Sequence, residues 1–239
     1  MIGELWPGGP LFKYDEDVFR PMTDSVLLAG FVADARLKRK ERAVDLGCGS
    51  GIISILIALK SPDMHIDGIE IQPHAAELAA ENAQLSGLSS RLTIIEGDIR
   101  RHRDYLQSGV YDIAVSNPPF HKQNSGKPAA NDEIAISRNE TSCTLADVCR
   151  AACYLTRFGG LFFLAHKPER LADVFGALSN SGFEPKRLRF VQHTYKSPPS
   201  LVLIESRRGG KSSLKIEAPF ILKNDDGSDT EEARAVYQR

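Results

Sequence analysis

The chain lacks any apolar run able to cross a membrane: the longest, Ile52 to Leu59, is eight residues interrupted by Ser54, where a spanning helix needs ~20. The opening Met1-Ile2-Gly3-Glu4-Leu5-Trp6-Pro7 has no basic region followed by an apolar one, so it does not read as a secretory signal and a cytoplasmic location is the expectation. Cysteine is scarce and badly spaced for chemistry. Cys48, Cys143, Cys149 and Cys153 form no Cys-x-x-Cys pair and have no nearby histidine to complete a zinc set, so neither a metal nor a disulfide framework is expected. Charge of one sign is also missing. With 30 Lys and Arg against 31 Asp and Glu, no global field draws nucleic acid, and RNA binding would rest on local clusters. No internal repeat is present.

What remains is an ordinary globular composition, 42% hydrophobic and 26% charged over 239 residues, which suits one α/β domain. Short apolar runs at Ala43–Leu46, Ile66–Ile71, Leu92–Glu96, Tyr111–Ser116, Leu161–His166 and Leu188–Val191 predict strands. Helix-period segments at Ile52–Lys60, His74–Leu85, Leu145–Leu155 and Glu169–Ser179 separate them, with a weaker one at Arg101–Gln107. That alternation implies a mostly parallel sheet with helices on both faces. Ser200–Glu205, after the breaker Ser197-Pro198-Pro199, is expected to add an antiparallel seventh strand at the sheet's end. A helix over Asp24–Ala35, with Thr23 as its N-cap, is expected to pack over a cleft at the edge of the sheet. Met1–Arg20 and Pro119–Thr141 resist assignment. The second, rich in Lys, Asn, Gly and Pro, is long enough to predict a lid or binding element. The expected division is an extension at 1–20, a main domain at 21–206 and a docked appendage at 207–239.

Ala43-Val44-Asp45-Leu46-Gly47-Cys48-Gly49-Ser50-Gly51 puts a glycine-rich turn between strand and helix, where backbone approaches a ligand with no Cβ in the way. The dinucleotide fingerprint needs a glycine where this chain has Ile52, which leaves a nicotinamide cofactor as the lesser reading. Glu70 ends the second strand, nineteen residues after Gly51, suited to accept both hydroxyls of a ribose. Asp98 follows the third strand on the same edge, suited to an adenine amino group. Taken singly these acids read as a loop anchor, a solvated strand end and a helix cap; three at consecutive strand ends around a glycine turn read as a nucleotide site.

The fourth strand runs into Asn117-Pro118-Pro119-Phe120. Each proline pushes its predecessor toward extended backbone and contributes no N–H, so the segment presents carbonyl oxygens and the Asn117 amide. A planar NH₂ group is a poor nucleophile because its lone pair is delocalised. Hydrogen bonds from it to Asn117 Oδ1 and the Pro118 carbonyl would aim that lone pair at an electrophilic methyl, while Phe120 stacks on the ring. Read as mere strand terminator and packing residue, the tetrapeptide loses its position at the cofactor edge.

Together these motifs resemble the N-P-P-[YF] class I methyltransferases with a Rossmann-like sheet, which use S-adenosylmethionine. From about Pro21 onward the chain is similar to the bacterial tRNA1(Val) (adenine-N6)-methyltransferases, through Thr23-Asp24-Ser25-Val26-Leu27-Leu28-Ala29, Ala135-Ile136-Ser137-Arg138-Asn139-Glu140 and Lys167-Pro168-Glu169-Arg170-Leu171. The resemblance implies that Asp45, Gly47, Gly49, Glu70, Ile71, Asp98, Ile99 and Asn117 hold the cofactor, with Thr23 and Asp24 closing its methionine end. It gives Asn117, Pro118 and Phe120 the target base, and it implies a tRNA partner. The family commonly has tyrosine at the position of Phe120, and Phe120-His121 also resembles guanine-N2 methyltransferases of ribosomal RNA. Glutamine methyltransferases of release factors share the tetrapeptide but carry a helical domain upstream. Basic clusters for RNA are Arg36, Lys38, Arg39 and Lys40, then Arg207, Arg208 and Lys211, with Lys122, Lys127 and Arg138 in the lid. A binding module without turnover is the remaining class.

Overall fold

The computed structural model describes residues 1–15, 23–35, 41–118 and 143–237. Its centre is a sheet built from seven long strands: β3 (Arg42–Leu46), β4 (His65–Glu70), β5 (Leu92–Glu96), β6 (Tyr111–Ser116), β7 (Thr156–His166), β8 (Phe183–Gln192) and β9 (Pro199–Arg208). Two short strands, β10 (Lys215–Ile216) and β11 (Phe220–Ile221), pair in parallel with β8. The spatial order is β10-β8-β9-β7-β6-β3-β4-β5. β3 to β7 run parallel. The chain moves from β3 out to β5 and then returns to β6 on the other flank of β3, so the strand order reverses between β3 and β6. In open α/β sheets, ligands bind outside the carboxyl ends at that switch point.

Helices cover both faces because the strands are apolar on both. Along β7, Phe163 and Ala165 face one core while Phe162 and Leu164 face the other, the period of two that a strand imposes. α1 (Thr23–Ala33) and α2 (Ile52–Lys60) pack with the first set, α4 (Leu145–Leu155) and α5 (Leu171–Asn180) with the second. α3 (Pro73–Leu85) lies beside β5 and the amino-terminal strands. α4 begins with a capping box in which Thr144 Oγ1 accepts from Asp147 N and Asp147 accepts from Thr144 N, which fixes where the helix starts.

Several expectations are corrected. The 199–208 strand does not sit at the sheet's end; it pairs antiparallel with both β7 and β8. Leu201, Val202, Leu203 and Ile204 are buried on both faces, which marks an interior strand. The strand expected at 200–205 runs from Pro199 to Arg208. Residues 1–13, left unassigned, make an antiparallel pair, β1 (Ile2–Glu4) with β2 (Leu11–Lys13); alternation over three residues is too short to read. Phe12 inserts into the main core, and fully buried Asn82 exchanges hydrogen bonds with Lys13 N and O while reaching Ser50 O in the glycine turn. Thr23 is the first residue of α1 and not its cap. The weak helix at 101–107 is a 3-10 helix at Ile99–Asp104 capped by Asp98, and the 169–179 helix is a 3-10 turn, Pro168–Arg170, followed by α5. The last helix, α6 (Glu231–Tyr237), places Ala233 in the main core. Cys48 and Cys149 are buried, and Cys143 and Cys153 half-buried. Among the described residues no helix is long and apolar enough to cross a membrane.

Candidate active site at the carboxyl edge

The turn after β3 carries three glycines in the left-handed region, Gly47 at φ 76, Gly49 at φ 54 and Gly51 at φ 84, which side chains rarely adopt. A Cβ added at Gly51 would crowd Ala79 at 3.2 Å, whereas one at Gly47 or Gly49 would meet nothing within 4 Å. Gly51 serves helix packing; Gly47 and Gly49 face open space, a cradle that a ligand can occupy. The turn is tied to β4 by Gly47 N and Cys48 N donating to Ile69 O at 2.9 and 3.0 Å.

Glu70, at the end of β4 and nearly buried, also holds that turn. Oε2 accepts from Gly49 N at 2.9 Å and Oε1 from Gln72 N at 3.0 Å; burial pushes its carboxyl up despite these bonds. Asp45 is fully buried at the end of β3. Its Oδ2 accepts from Ser54 Oγ at 2.7 Å, and its Oδ1 has no hydrogen-bond partner among the described residues. Burial pushes this carboxyl up to about 7, opposed by the Ser54 hydroxyl and reinforced by the Glu70 charge. A buried oxygen without a donor is costly, so Asp45 fits a ligand that brings an N–H or O–H to it.

Across the switch point, Ser116 Oγ donates to Leu46 O at 2.7 Å, locking β6 against β3. Asn117 follows directly. Its Nδ2 donates to Ser25 Oγ of α1 at 3.3 Å, and its Oδ1 is buried with no partner among the described residues. Pro118 is buried beside it. Two acceptor oxygens, Asp45 Oδ1 and Asn117 Oδ1, thus stand without donors at the ends of adjacent strands. Ser25 is the residue that sequence reasoning missed: it lies in a quoted motif, but nothing in the sequence links α1 to residue 117.

The other expected positions divide. Asp98 is engaged by Arg100, whose Nε lies 2.9 Å from both its oxygens, and this guanidinium holds its carboxyl below the usual range. It caps the 3-10 helix, so an adenine amino group there would share the carboxylate with Arg100. Ile71 is 40% exposed at the β4 end, an apolar surface beside the turn, while Ile99 is half-buried against the second core. Asp24 stands in the first turn of α1, its carboxyl raised by burial and pulled back by Lys167; Thr23 opens the same turn. Phe120, the lid and the Arg36–Lys40 cluster lie outside the described residues. Arg207 and Arg208 are at the opposite, amino edge, where they donate to Gly159 O and Thr156 O.

Residues 23–174 match the family model described as methyltransferase small domain. A tRNA1(Val) (adenine(37)-N6)-methyltransferase from Porphyromonas gingivalis is 32% identical over 189 residues, 77% of this chain and 73% of that one. One of the same name from Dickeya chrysanthemi is 29% identical over 234 residues, 93% of this chain and 89% of that one. A solved structure titled as a predicted O-methyltransferase from Agrobacterium tumefaciens superposes with a TM-score of 0.71 at 20% identity, over 90% of this chain and 96% of that chain. At that identity the likeness shows a shared fold alone.

Proposed function

The chain belongs to the methyltransferase small-domain family, and from that premise we propose that it transfers methyl from S-adenosylmethionine to the exocyclic N6 of an adenosine beside the anticodon of a tRNA. The observation that carries the reaction type is the buried Asn117 Oδ1 at the switch point, which has no partner among the described residues; the names of the relatives in Porphyromonas and Dickeya support the base and the RNA. The cofactor fits the residues present. Gly47 and Gly49 leave the cradle open, Glu70 offers its remaining lone pairs to ribose hydroxyls, and Asp45 Oδ1 offers an acceptor to the methionine ammonium. Bound there, S-adenosylmethionine supplies a methyl group on a positively charged sulfur.

The protein's own part is placement. Asn117 Oδ1 and the Pro118 carbonyl accept the two amino hydrogens of the base, which turns the nitrogen lone pair toward the methyl. Ser25 holds Asn117 Nδ2, so the amide keeps its oxygen for the substrate. No strong base would be needed before transfer, because the nitrogen would become acidic only as its bond to the methyl forms and the methyl–sulfur bond breaks; its proton would then pass by way of Asn117 Oδ1 or the Pro118 carbonyl to water. Phe120 stacks on the purine. The domain division at 1–20, 21–206 and 207–239 is retained as part of this reading.

The direct test is incubation of the protein with labelled S-adenosylmethionine and an unmodified tRNA transcript, followed by nuclease digestion and nucleoside mass spectrometry. N6-methyladenosine is the expected product; N2-methylguanosine would overturn the base, and no label in RNA while a release-factor glutamine is labelled would overturn the substrate class. RNA affinity is expected to fall steeply with salt.

Asp45 makes a second prediction. In the free protein its carboxyl is half neutral near pH 7 because burial has raised it, and only the ionised form attracts an ammonium, which stays charged below its own pKa of about 7.7–8. Cofactor affinity should therefore rise about fivefold between pH 6 and pH 7. Calorimetry at the two values is the check. Asp45→Asn should bind more weakly and show no rise; an equally flat wild-type response would remove Asp45 from the ammonium site.

A further inference from the structure

β7 and β8 both run antiparallel to β9, so β8 ends at the same carboxyl edge as β6 and Asn117. The turn joining β8 to β9, residues 193–198, therefore stands on the edge that carries the proposed site. Tyr195 in this turn is 78% exposed, more than any other described aromatic residue. The turn itself is firmly built. Thr194 and Ser197 bond through their hydroxyls at 2.7 Å, and Ser197 N donates to Thr194 O at 3.1 Å. Leu222 N and Lys223 N donate to Gln192 O and His193 O at 3.0 and 2.8 Å, clamping its start to the β11 segment.

A rigid turn that holds a large ring in water gains nothing for the core, and rigid scaffolds presenting such residues are where binding concentrates. Two cations flank it on the same edge. Lys196 pairs with Asp225 at 3.3 Å with both side chains more than two-thirds exposed, an arrangement worth little, so a phosphate can replace the carboxylate. Lys167, immediately after β7, reaches toward Ser200 O at 3.4 Å and lies between Asn117 and the turn.

We infer that Tyr195 is a stacking platform for a nucleotide three or four positions from the target base, in a single-stranded RNA loop whose backbone runs past Lys167 and Lys196. This rests on the RNA reading of the site. β6 and the β8–β9 pair are two to three strand spacings apart, about 10–15 Å, which corresponds to roughly three or four stacked nucleotides at about 3.4 Å each. Extruding the target base unstacks the loop around it, and an exposed tyrosine at that reach offers a face on which a base further along the strand stacks.

The test measures binding of a fluorescently labelled, unmodified tRNA transcript by anisotropy, alongside KM and kcat. Tyr195→Ala should weaken binding roughly tenfold, with the loss in KM for tRNA and not in kcat. Tyr195→Phe, which keeps the ring, should stay within twofold. Phe158, 75% exposed on β7 but at the amino edge, supplies the control: Phe158→Ala should bind tRNA like the wild type. Equal affinity for Tyr195→Ala and a wild type that methylates the transcript would overturn this inference alone, as would an equal loss in Phe158→Ala. A wild type that neither binds nor methylates the tRNA would overturn both this inference and the reading beneath it.

Discussion

Asn117→Ala is expected to slow methyl transfer by about a thousandfold or more in single-turnover assays while cofactor affinity changes less than about threefold. The magnitude follows from geometry. Asn117 Oδ1 is buried and has no partner among the described residues, so its acceptor capacity is open to a ligand, and its removal leaves the target nitrogen aimed by one carbonyl instead of two acceptors. Loss of a single preorganised polar group in comparable sites costs about 10²–10³, and misplacement of the nucleophile adds to it. Ser25→Ala tests the same device from the other side. The oxygen is still present, but the amide loses the hydroxyl 3.3 Å from Nδ2, so a smaller loss in kcat, about three- to tenfold, is expected. Transfer by Asn117→Ala within tenfold of the wild type would remove Asn117 from the reaction.

The contrast between these two residues shows what was legible in the sequence. Asn117 is visible because proline restricts the backbone around it, and the glycine turn is visible because positive φ demands glycine; both constraints are local. β3 to β7 and their helices are legible for the same reason, since each strand is a short apolar run between helix-period segments. Ser25 and Asn82 were not legible as site residues. Each works through hydrogen bonds to residues far along the chain, 92 positions for Ser25 and Asn117 and 69 for Asn82 and Lys13, and periodicity carries no such pairing. The place of β9 was missed for a related reason. An apolar strand after a proline breaker reads equally well at an edge or in the interior, and only burial of Leu201 through Ile204 on both faces decides it. For Asp98, the chain showed a carboxylate at a strand end, yet the competing cation, Arg100, is two residues away; there local charge pairing and helix capping explain the present contacts.

Glu70→Ala is expected to raise the cofactor dissociation constant about a hundredfold while kcat at saturating cofactor stays within about threefold, the reverse of the Asn117 pattern. Two effects add. The carboxylate accepts from Gly49 N and Gln72 N, so the alanine variant frees two backbone donors and loosens the turn that forms the cradle. It also removes the proposed ribose acceptor. Hydrogen bonds to a charged group are worth about 1.5–3 kcal/mol each, and a hundredfold change corresponds to about 2.7 kcal/mol, so the loss of one ribose bond and some preorganisation accounts for the whole. Glu70→Gln separates the contributions, because it keeps the shape but turns an NH₂ toward one of the two backbone donors, and about a tenfold loss is expected. Calorimetric titration of both variants, with a thermal melt to show that the fold persists, is the check. A dissociation constant for Glu70→Ala within threefold of the wild type would mean that Glu70 only staples the turn and that the ribose is held elsewhere. A large loss in Glu70→Ala with kcat preserved would assign the β4 end to the cofactor and leave the β6 end, at Asn117, to the base.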